Sequence, residues 1–253
     1  MALIDRKTPA GPDRSAFIVS NRLLWLDLAR TLALLAMIVF HFARDLELFG
    51  FLPSGTTATG GWAIFARVIA GFFVFLSGVS LVVAHSADFN PRNWAKRIAL
   101  ISGAALLVTM ATYVVFPEQF IYFGILHCIA ACSIVGGFLV RAPATLLCTF
   151  AVLILVAGTA WDTGIFASPW LAWTGLTLAT RPSLDYLPMI PWFSSFLAGM
   201  AFAKVLPLTT RDLTIRSKIA AQYTTLLGRH SLAIYLVHQP VLLAIIWVAF
   251  ALA

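Results

Sequence analysis

Long apolar segments alternate with short polar ones along this chain. Seven of them are about 18–25 residues long, the length that an α-helix needs to cross the hydrocarbon core of a bilayer. They occupy residues 23–44, 62–84, 97–115, 120–140, 143–160, 190–206 and 230–252. The pattern therefore predicts an all-α fold, a polytopic membrane helix bundle of about seven transmembrane helices.

One further apolar segment is shorter than these seven. Residues 165–179 contain Pro169 and two tryptophans, Trp170 and Trp173. Tryptophan is enriched at the headgroup level of membranes. We expect this segment to be a short re-entrant or interfacial piece on the external side rather than an eighth helix.

The basic residues indicate which connections face the cytoplasm. Cytoplasmic connections carry an excess of Lys and Arg. With seven helices, the basic connections all lie on one side, so the N-terminus is predicted to be cytoplasmic, whereas an eighth helix would place the last of these connections outside. The basic residues concerned are Arg6, Lys7, Arg14, Arg22, Arg92, Lys96, Arg97, Arg141, Arg211, Arg216, Lys218 and Arg229.

The polar N-terminal part of the chain differs from the rest. Residues 1–22 form a charged leader without the pattern of a cleavable signal, and we expect them to be disordered or to lie along the cytoplasmic surface. Residues 23–253 contain no internal repeat or low-complexity tract. They are predicted to form a single transmembrane domain.

The composition agrees with a membrane protein. Of the 253 residues, 61% are hydrophobic and 11% charged, whereas a soluble domain carries about 25% charged residues. The formal charge of +7 does not indicate nucleic-acid binding, because the basic residues flank apolar segments and suit contact with anionic lipid. The three cysteines lie inside apolar segments without zinc-ligand spacing, so neither a disulfide framework nor a metal site is predicted.

The first predicted helix carries three ionisable residues, Asp27, Arg30 and His41. A charged side chain at the centre of a membrane helix costs at least about 2.5–3.5 kcal/mol, so such residues are usually functional. Arg30 and His41 lie eleven residues apart, about 16 Å of helical rise, and nearly on one face. We predict that these two residues form the chemical centre, although an ion pair between Arg30 and Asp27 is an alternative for the arginine.

Other polar residues are candidates for the same site. Asp45 follows His41 by one helical turn, so its carboxylate could orient the imidazole, with Arg44 as an alternative partner. Each histidine could instead be a buried, hydrogen-bonded residue without a chemical role. Asp185 lies in the segment TRPSLDYLPMIPWF, which could form the rim of a pocket or an ordinary external loop.

Five segments of the chain resemble a known family. The R-x10-H pattern of the first helix is similar to the signature of the transmembrane acyltransferase superfamily. More narrowly, the chain from Arg22 to Trp247 resembles bacterial proteins described as similar to heparan-α-glucosaminide N-acetyltransferase. The matching segments are WLDLARTLALLAMIVFHFARDLELFG, FFVFLSGVSLVVAH, FGILHCIA, DYLPMIPWF and GRHSLAIYLVHQPVL.

The resemblance implies a membrane-bound acyltransferase of the bacterial inner membrane. Its donor would be cytoplasmic acetyl-CoA, with no metal, and its acceptor would be a glycan, a lipid-linked sugar or another envelope molecule on the opposite side. The eukaryotic members of the family carry an asparagine in place of His41 and a later histidine that this chain lacks. His41 or His127 would therefore have to activate the acceptor, while Arg30 would hold the donor.

One alternative function is compatible with the same sequence features. The alternative is a non-catalytic membrane subunit or transporter that binds a lipid or small solute. A homo-oligomer or a membrane-protein partner, and contact with membrane lipids, are compatible with either function.

The candidate residues are His41, His127 and Asp45 for catalysis, Arg30 and His238 for the cofactor, and Asp185 and Tyr186 for the substrate.

Overall fold

Seven α-helices and one short 3-10 helix make up the described part of the chain. The computed structural model describes residues 24–85, 88–160, 168–177, 179–206, 228 and 230–252. Over these residues there is no β-strand, only an isolated parallel bridge. The elements are α1 (Leu24–Leu48), α2 (Gly60–Ala84), α3 (Pro91–Val115), α4 (Ile125–Leu139), α5 (Ala144–Ala160), the 3-10 helix (Pro169–Thr174), α6 (Met189–Val205) and α7 (Ser231–Leu252).

Helix length and hydropathy divide these helices into two groups. α1, α2, α3 and α7 are long and apolar enough to cross a membrane, whereas α4, α5 and α6 are apolar but shorter. The prediction of an all-α fold is confirmed for the described residues, and four of their helices could cross a membrane by length and composition. The number of crossings and the orientation stay predictions, and the leader at 1–22 lies outside the described residues together with Arg211, Arg216, Lys218 and Arg229.

Two of the predicted helix starts are wrong. α3 begins at Pro91 rather than at 97, because the Asn90 side chain accepts the backbone N–H groups of Arg92 and Asn93 at 3.0 and 3.2 Å and caps the helix. Arg92 and Lys96 are thus helical residues, not loop residues, and Arg97 lies inside the helix rather than at its start. α4 begins at Ile125 rather than at 120.

The residues before α4 pair with another segment instead of extending the helix. The Leu187 N–H donates to the Phe123 carbonyl at 3.0 Å, and the Leu184 N–H donates to the Gln119 carbonyl at 2.9 Å. Ser183 adds a hydroxyl bond to the Phe120 carbonyl at 3.1 Å. Backbone groups that α4 would otherwise have used are satisfied by this pairing.

α1 and α2 run in opposite directions, and so do α3 and α4. Arg30, near the start of α1, contacts Ser80, near the end of α2. Trp94, near the start of α3, donates to the Ser133 carbonyl in the second half of α4 at 2.9 Å. These two pairs are antiparallel, as the alternating apolar segments predict.

α1 and α7 instead run parallel. A β-carbon at Gly228, just before α7, would lie 2.7 Å from the Asp27 β-carbon near the start of α1. Towards the other end, the Gln239 amide donates to the Asp45 carboxylate at 2.7 Å. Parallel first and last helices fit an odd number of alternating helices.

α2 and α6 form the centre of the bundle. Their backbones approach so closely that a β-carbon at Gly78 would collide with the Phe196 carbonyl, and one at Gly199 with the Phe75 carbonyl. Close approach at glycines is the usual way in which membrane helices gain packing contacts. The buried side chains around this crossing, Val74, Val79, Phe196, Leu197 and Met200, belong to the largest core cluster.

The 3-10 helix lies in the segment that the sequence predicts to be interfacial. Trp170 is 88% exposed and Trp173 is 43% exposed, so both indoles are available to surroundings of intermediate polarity. The Tyr186 hydroxyl donates to the Ala172 carbonyl at 2.6 Å and fixes the 3-10 helix to the segment before α6. Its depth relative to a bilayer stays a prediction.

Candidate functional site

The first polar cluster lies where α1 and α3 begin and α2 ends. Arg30 donates through Nη1 to the Asp27 carboxylate at 3.1 Å and through Nη2 to the Ser80 hydroxyl at 2.6 Å. The ion pair that is the alternative role for Arg30 is therefore present. It engages only part of the guanidinium, however, which has five N–H donors.

Arg97 brings a second guanidinium to this cluster. Its Nη2 donates to the carbonyl and the hydroxyl of Ser77 at 3.1 and 2.7 Å, one helical turn before Ser80. Its Nε is buried without a hydrogen-bond partner among the described residues. We call the region formed by Asp27, Arg30, Ser77, Ser80 and Arg97 the arginine end.

The arginine end has an excess of positive charge. Arg30 and Arg97 lie close enough to repel each other electrostatically, and the only ion pair in the described part of the chain joins Arg30 to Asp27. Two guanidinium groups facing one carboxylate leave a net charge of +1 in partly buried surroundings. Like charges repel strongly at low dielectric. An anion bound near the two guanidinium groups would reduce this repulsion, so the arrangement favours anion binding.

The second polar cluster lies further along α1. The rings of His41 and His238 pack edge to face, with centroids 5.0 Å apart. His238 Nδ1 lies 2.6 Å from the Tyr235 carbonyl, and since a carbonyl can only accept, this nitrogen carries the hydrogen. The Nε2 atom of His238 is buried and has no partner among the described residues.

Asp45 and Gln239 extend this cluster. Asp45 is 2% exposed, and one of its oxygens accepts from the Gln239 amide at 2.7 Å. The remaining oxygens, Asp45 Oδ2 and Gln239 Oε1, are buried and unpartnered within the described ranges. We call the region of His41, Asp45, His238 and Gln239 the histidine end.

His127 is held by partners of its own. The Gly124 N–H donates to its Nδ1 at 3.3 Å, and its Nε2 lies 3.2 Å from the Thr109 hydroxyl, which itself donates to the Ile121 carbonyl at 2.7 Å. Both ring nitrogens are thus engaged by α3 and by the start of α4. The partners of His41 and His238, in contrast, lie on α1 and α7.

Asp185 and Tyr186 stabilise the segment before α6. Asp185 Oδ2 accepts the Ile125 N–H at the start of α4 at 2.9 Å, where the helix dipole favours a negative charge. Burial nevertheless raises the pKa of the Asp185 carboxyl above its usual range. Burial, with a smaller contribution from the Tyr122 phenol, raises the pKa of Tyr186 to about 12. Their role in substrate binding stays a prediction.

The raised pKa of Asp185 gives a testable pH dependence. Since the folded protein holds this proton more tightly than the unfolded chain, ionisation destabilises the fold as the pH rises from about 3.8, the ordinary pKa, through the raised value. Asp185→Asn keeps an oxygen for the Ile125 N–H but cannot ionise. We therefore expect the Tm of this variant, relative to that of the original chain, to increase over this pH window.

The measurement for Asp185 is thermal unfolding in detergent, followed by tryptophan fluorescence at a series of pH values. Asp88→Asn removes an exposed carboxylate and serves as the control. A Tm difference between Asp185→Asn and the original chain that does not vary with pH would contradict the burial argument.

Among the described residues there is no group of three or more His, Cys, Asp or Glu side chains that could hold a metal ion. Four residues of the clusters were missed as candidates from the sequence: Ser77, Ser80, Arg97 and Gln239. The capping signal Asn90-Pro91 would have placed Arg97 in the second turn of a helix rather than at its first residue. For Gln239, whose partner Asp45 is 194 positions away in the chain, no local signal exists.

Comparison with known proteins gives one result. Residues 22–240 match a family model described as heparan-alpha-glucosaminide N-acetyltransferase, catalytic. No curated protein and no solved structure matches the chain. The family match covers both clusters.

Proposed function

The chain belongs to the heparan-alpha-glucosaminide N-acetyltransferase family, and from this membership we propose that it is a membrane-bound acyltransferase. In this proposal it moves an acetyl group from acetyl-CoA to a glycan, a lipid-linked sugar or another envelope acceptor across a bacterial inner membrane. The family suggests transferase activity in general, and the apolar helices suggest a membrane protein. The donor, the acceptor and the location belong to the proposal.

The excess positive charge of the arginine end is the observation that carries the proposal. Coenzyme A presents phosphate groups, and the planar donor fork of arginine suits phosphate oxygens. Arg30 and Arg97 are both anchored on α2 by serine hydroxyls, so their remaining N–H groups are held in place rather than free to swing. We propose that this end faces the cytoplasm and binds the phosphates of the donor.

The histidine end would carry the chemistry. His41 lies about 16 Å of helical rise beyond Arg30, so phosphates at the arginine end leave the thioester room to reach it. His41 would take a proton from the acceptor amine or hydroxyl, whose lone pair attacks the thioester carbonyl. The carbon–sulfur bond then breaks, and the departing thiolate takes up the proton. His238, whose ring packs on His41 and whose open Nε2 accepts a hydrogen bond, would contact the amide N–H next to the thioester of the donor.

The other candidate residues have supporting roles in the proposal. Asp45 would help to orient the reacting groups from one turn beyond His41. Asp185 and Tyr186 would shape the entrance for the acceptor. His127 is the second candidate for the base, but its two engaged nitrogens favour His41.

The proposal is tested with purified protein in lipid nanodiscs. Acetyl-CoA is supplied together with glucosamine, which offers an amine and hydroxyls, and the free CoA thiol and the acetylated sugar are measured. Formation of both products supports an acyltransferase. Binding of acetyl-CoA without any transfer would instead favour the non-catalytic membrane subunit. Absence of binding would contradict the proposal that acetyl-CoA is the donor.

Replacement of either arginine at the arginine end should weaken donor binding. Hydrogen bonds to charged groups contribute about 1.5–3 kcal/mol, which corresponds to about a 10- to 150-fold change in Kd. We expect Arg97→Gln and Arg30→Gln each to raise the Kd of acetyl-CoA within this range, as measured by isothermal titration calorimetry. The arginine-to-lysine variants should recover part of the affinity, since they keep the charge but lose the fork.

The control for the arginine variants is Arg92→Gln, which removes an exposed positive charge from the first turn of α3. It should leave the Kd within about threefold, because exposed charges are screened by solvent and salt. Equal effects of Arg92→Gln and Arg97→Gln would contradict a specific anion site at the arginine end.

A further inference from the structure

The hydrogen bond between Asp45 and Gln239 fixes this pair of side chains but leaves two of their oxygen atoms without a partner among the described residues. The Gln239 amide donates an N–H to one carboxylate oxygen of Asp45, at 2.7 Å. The second oxygen of Asp45 and the amide oxygen of Gln239 have no partner in the described part of the chain, although both are buried. The pair therefore combines a fixed geometry with two open acceptor atoms.

His238 adds a third open acceptor nearby. Because its Nδ1–H is used on the Tyr235 carbonyl, the Nε2 atom of the neutral ring offers only a lone pair. It too is buried without a partner among the residues that the structure describes. All three open atoms at the histidine end thus accept hydrogen bonds, and none of them donates.

Buried acceptors without partners destabilise a protein, and native structures contain few of them. Three in one cluster indicate a position that is completed by something else. Only a group with several N–H or O–H hydrogens can satisfy acceptors of this kind. A carbonyl, a carboxylate or a phosphate would meet lone pairs with lone pairs.

We propose that Asp45 and Gln239 form a subsite for the hydrogen-donating group of the acceptor, in which Gln239 is the positioning residue. By holding one oxygen of Asp45, Gln239 directs the other oxygen and its own Oε1 to the incoming amine or pair of hydroxyls. His41 lies one helical turn before Asp45 on α1, so the subsite would hold the group about 6 Å of helical rise from the base. This assignment rests on the proposed acyltransferase function.

The pair could also serve only to join α1 to α7. A double variant separates the two roles. Asp45→Asn with Gln239→Glu reverses the hydrogen bond, because the amide now lies on α1 and the carboxylate on α7. The connection between the helices is kept, but the carboxylate one turn from His41 on α1 is lost.

The experiment compares Gln239→Leu, Gln239→Asn and the double variant with the original chain in nanodiscs. For each protein, the KM values for glucosamine and acetyl-CoA and the Tm are measured. Thermal stabilisation by saturating glucosamine and by N-acetylglucosamine, which has hydroxyls but no amine, gives a second readout that does not depend on turnover. Gln119→Leu, which changes an exposed glutamine, is the matched control.

The subsite predicts a rise of about tenfold or more in the KM for glucosamine with Gln239→Leu, and a change below about threefold in the KM for acetyl-CoA. Gln239→Asn should recover part of the loss. The double variant should regain the Tm of the original chain while its glucosamine KM stays high. Stabilisation of the original chain by glucosamine alone would assign the subsite to an amine, and stabilisation by both sugars would assign it to hydroxyls.

Three results would overturn the subsite. The first is a double variant that regains both Tm and glucosamine KM, which would leave the pair as a structural connection. The second is a Gln239→Leu protein that behaves like Gln119→Leu. The third is a chain that binds acetyl-CoA but is neither stabilised by nor active on either sugar. If the original chain did not bind acetyl-CoA, the proposed acyltransferase function itself would be contradicted.

Discussion

Replacing His41 with alanine is expected to lower kcat for acetyl transfer by about 10²–10⁴-fold, the usual contribution of a positioned general base. The loss should appear in kcat, because proton removal belongs to the chemical step rather than to binding. The Kd of acetyl-CoA should change little, since Arg30, which is proposed to bind its phosphates, lies about three helical turns away. Initial rates of CoA release with glucosamine, together with calorimetry of acetyl-CoA binding, measure the two quantities separately.

His230→Ala is the matched control for this variant. His230 is an exposed histidine immediately before α7, so its replacement tests the general effect of losing an imidazole. His127→Ala tests the second candidate for the base directly. If His127→Ala lowered kcat by as much as His41→Ala, or if His41→Ala kept full activity, the assignment of the base would be wrong.

The arrangement of the helices follows from local features of the sequence. A long apolar segment has to bury its backbone polar groups within itself, so hydropathy alone locates α1, α2 and α7. Helix starts are harder to predict from the sequence, because charged residues interrupt the apolar pattern without ending the helix. At the start of α3 the Asn90 cap outweighs three basic residues, whose long side chains can extend away from an apolar helix.

The sequence alone predicts only part of the candidate site, for a different reason. Arg30 and His41 lie in one helix, so the rise per residue alone gives their spacing along α1. Ser80, Arg97 and Gln239 enter the clusters through contacts between distant parts of the chain. Neither hydropathy nor spacing contains that information, since it depends on how the helices pack.

Packing between α2 and α6 leads to the second large effect, which concerns folding rather than chemistry. Gly199→Val would place side-chain atoms where the Phe75 carbonyl of α2 now lies, and a backbone carbonyl cannot rotate away as a side chain can. Overpacking costs typically about 1–3 kcal/mol, and more where the neighbour cannot move. Since this crossing is the centre of the bundle, we expect little or no monodisperse protein on size-exclusion chromatography.

Gly103→Val distinguishes this packing effect from the general effect of valine in a membrane helix. A β-carbon at Gly103 in α3 would meet no atom within 4 Å, so this substitution should leave expression and Tm nearly unchanged. Gly78→Val, which would collide with the Phe196 carbonyl from the other side of the same crossing, should reproduce the loss seen with Gly199→Val. Well-folded Gly78→Val and Gly199→Val proteins would show that α2 and α6 do not meet through these glycines. Folding that fails at both positions and persists at Gly103 would establish that α2 and α6 cross at these two glycines.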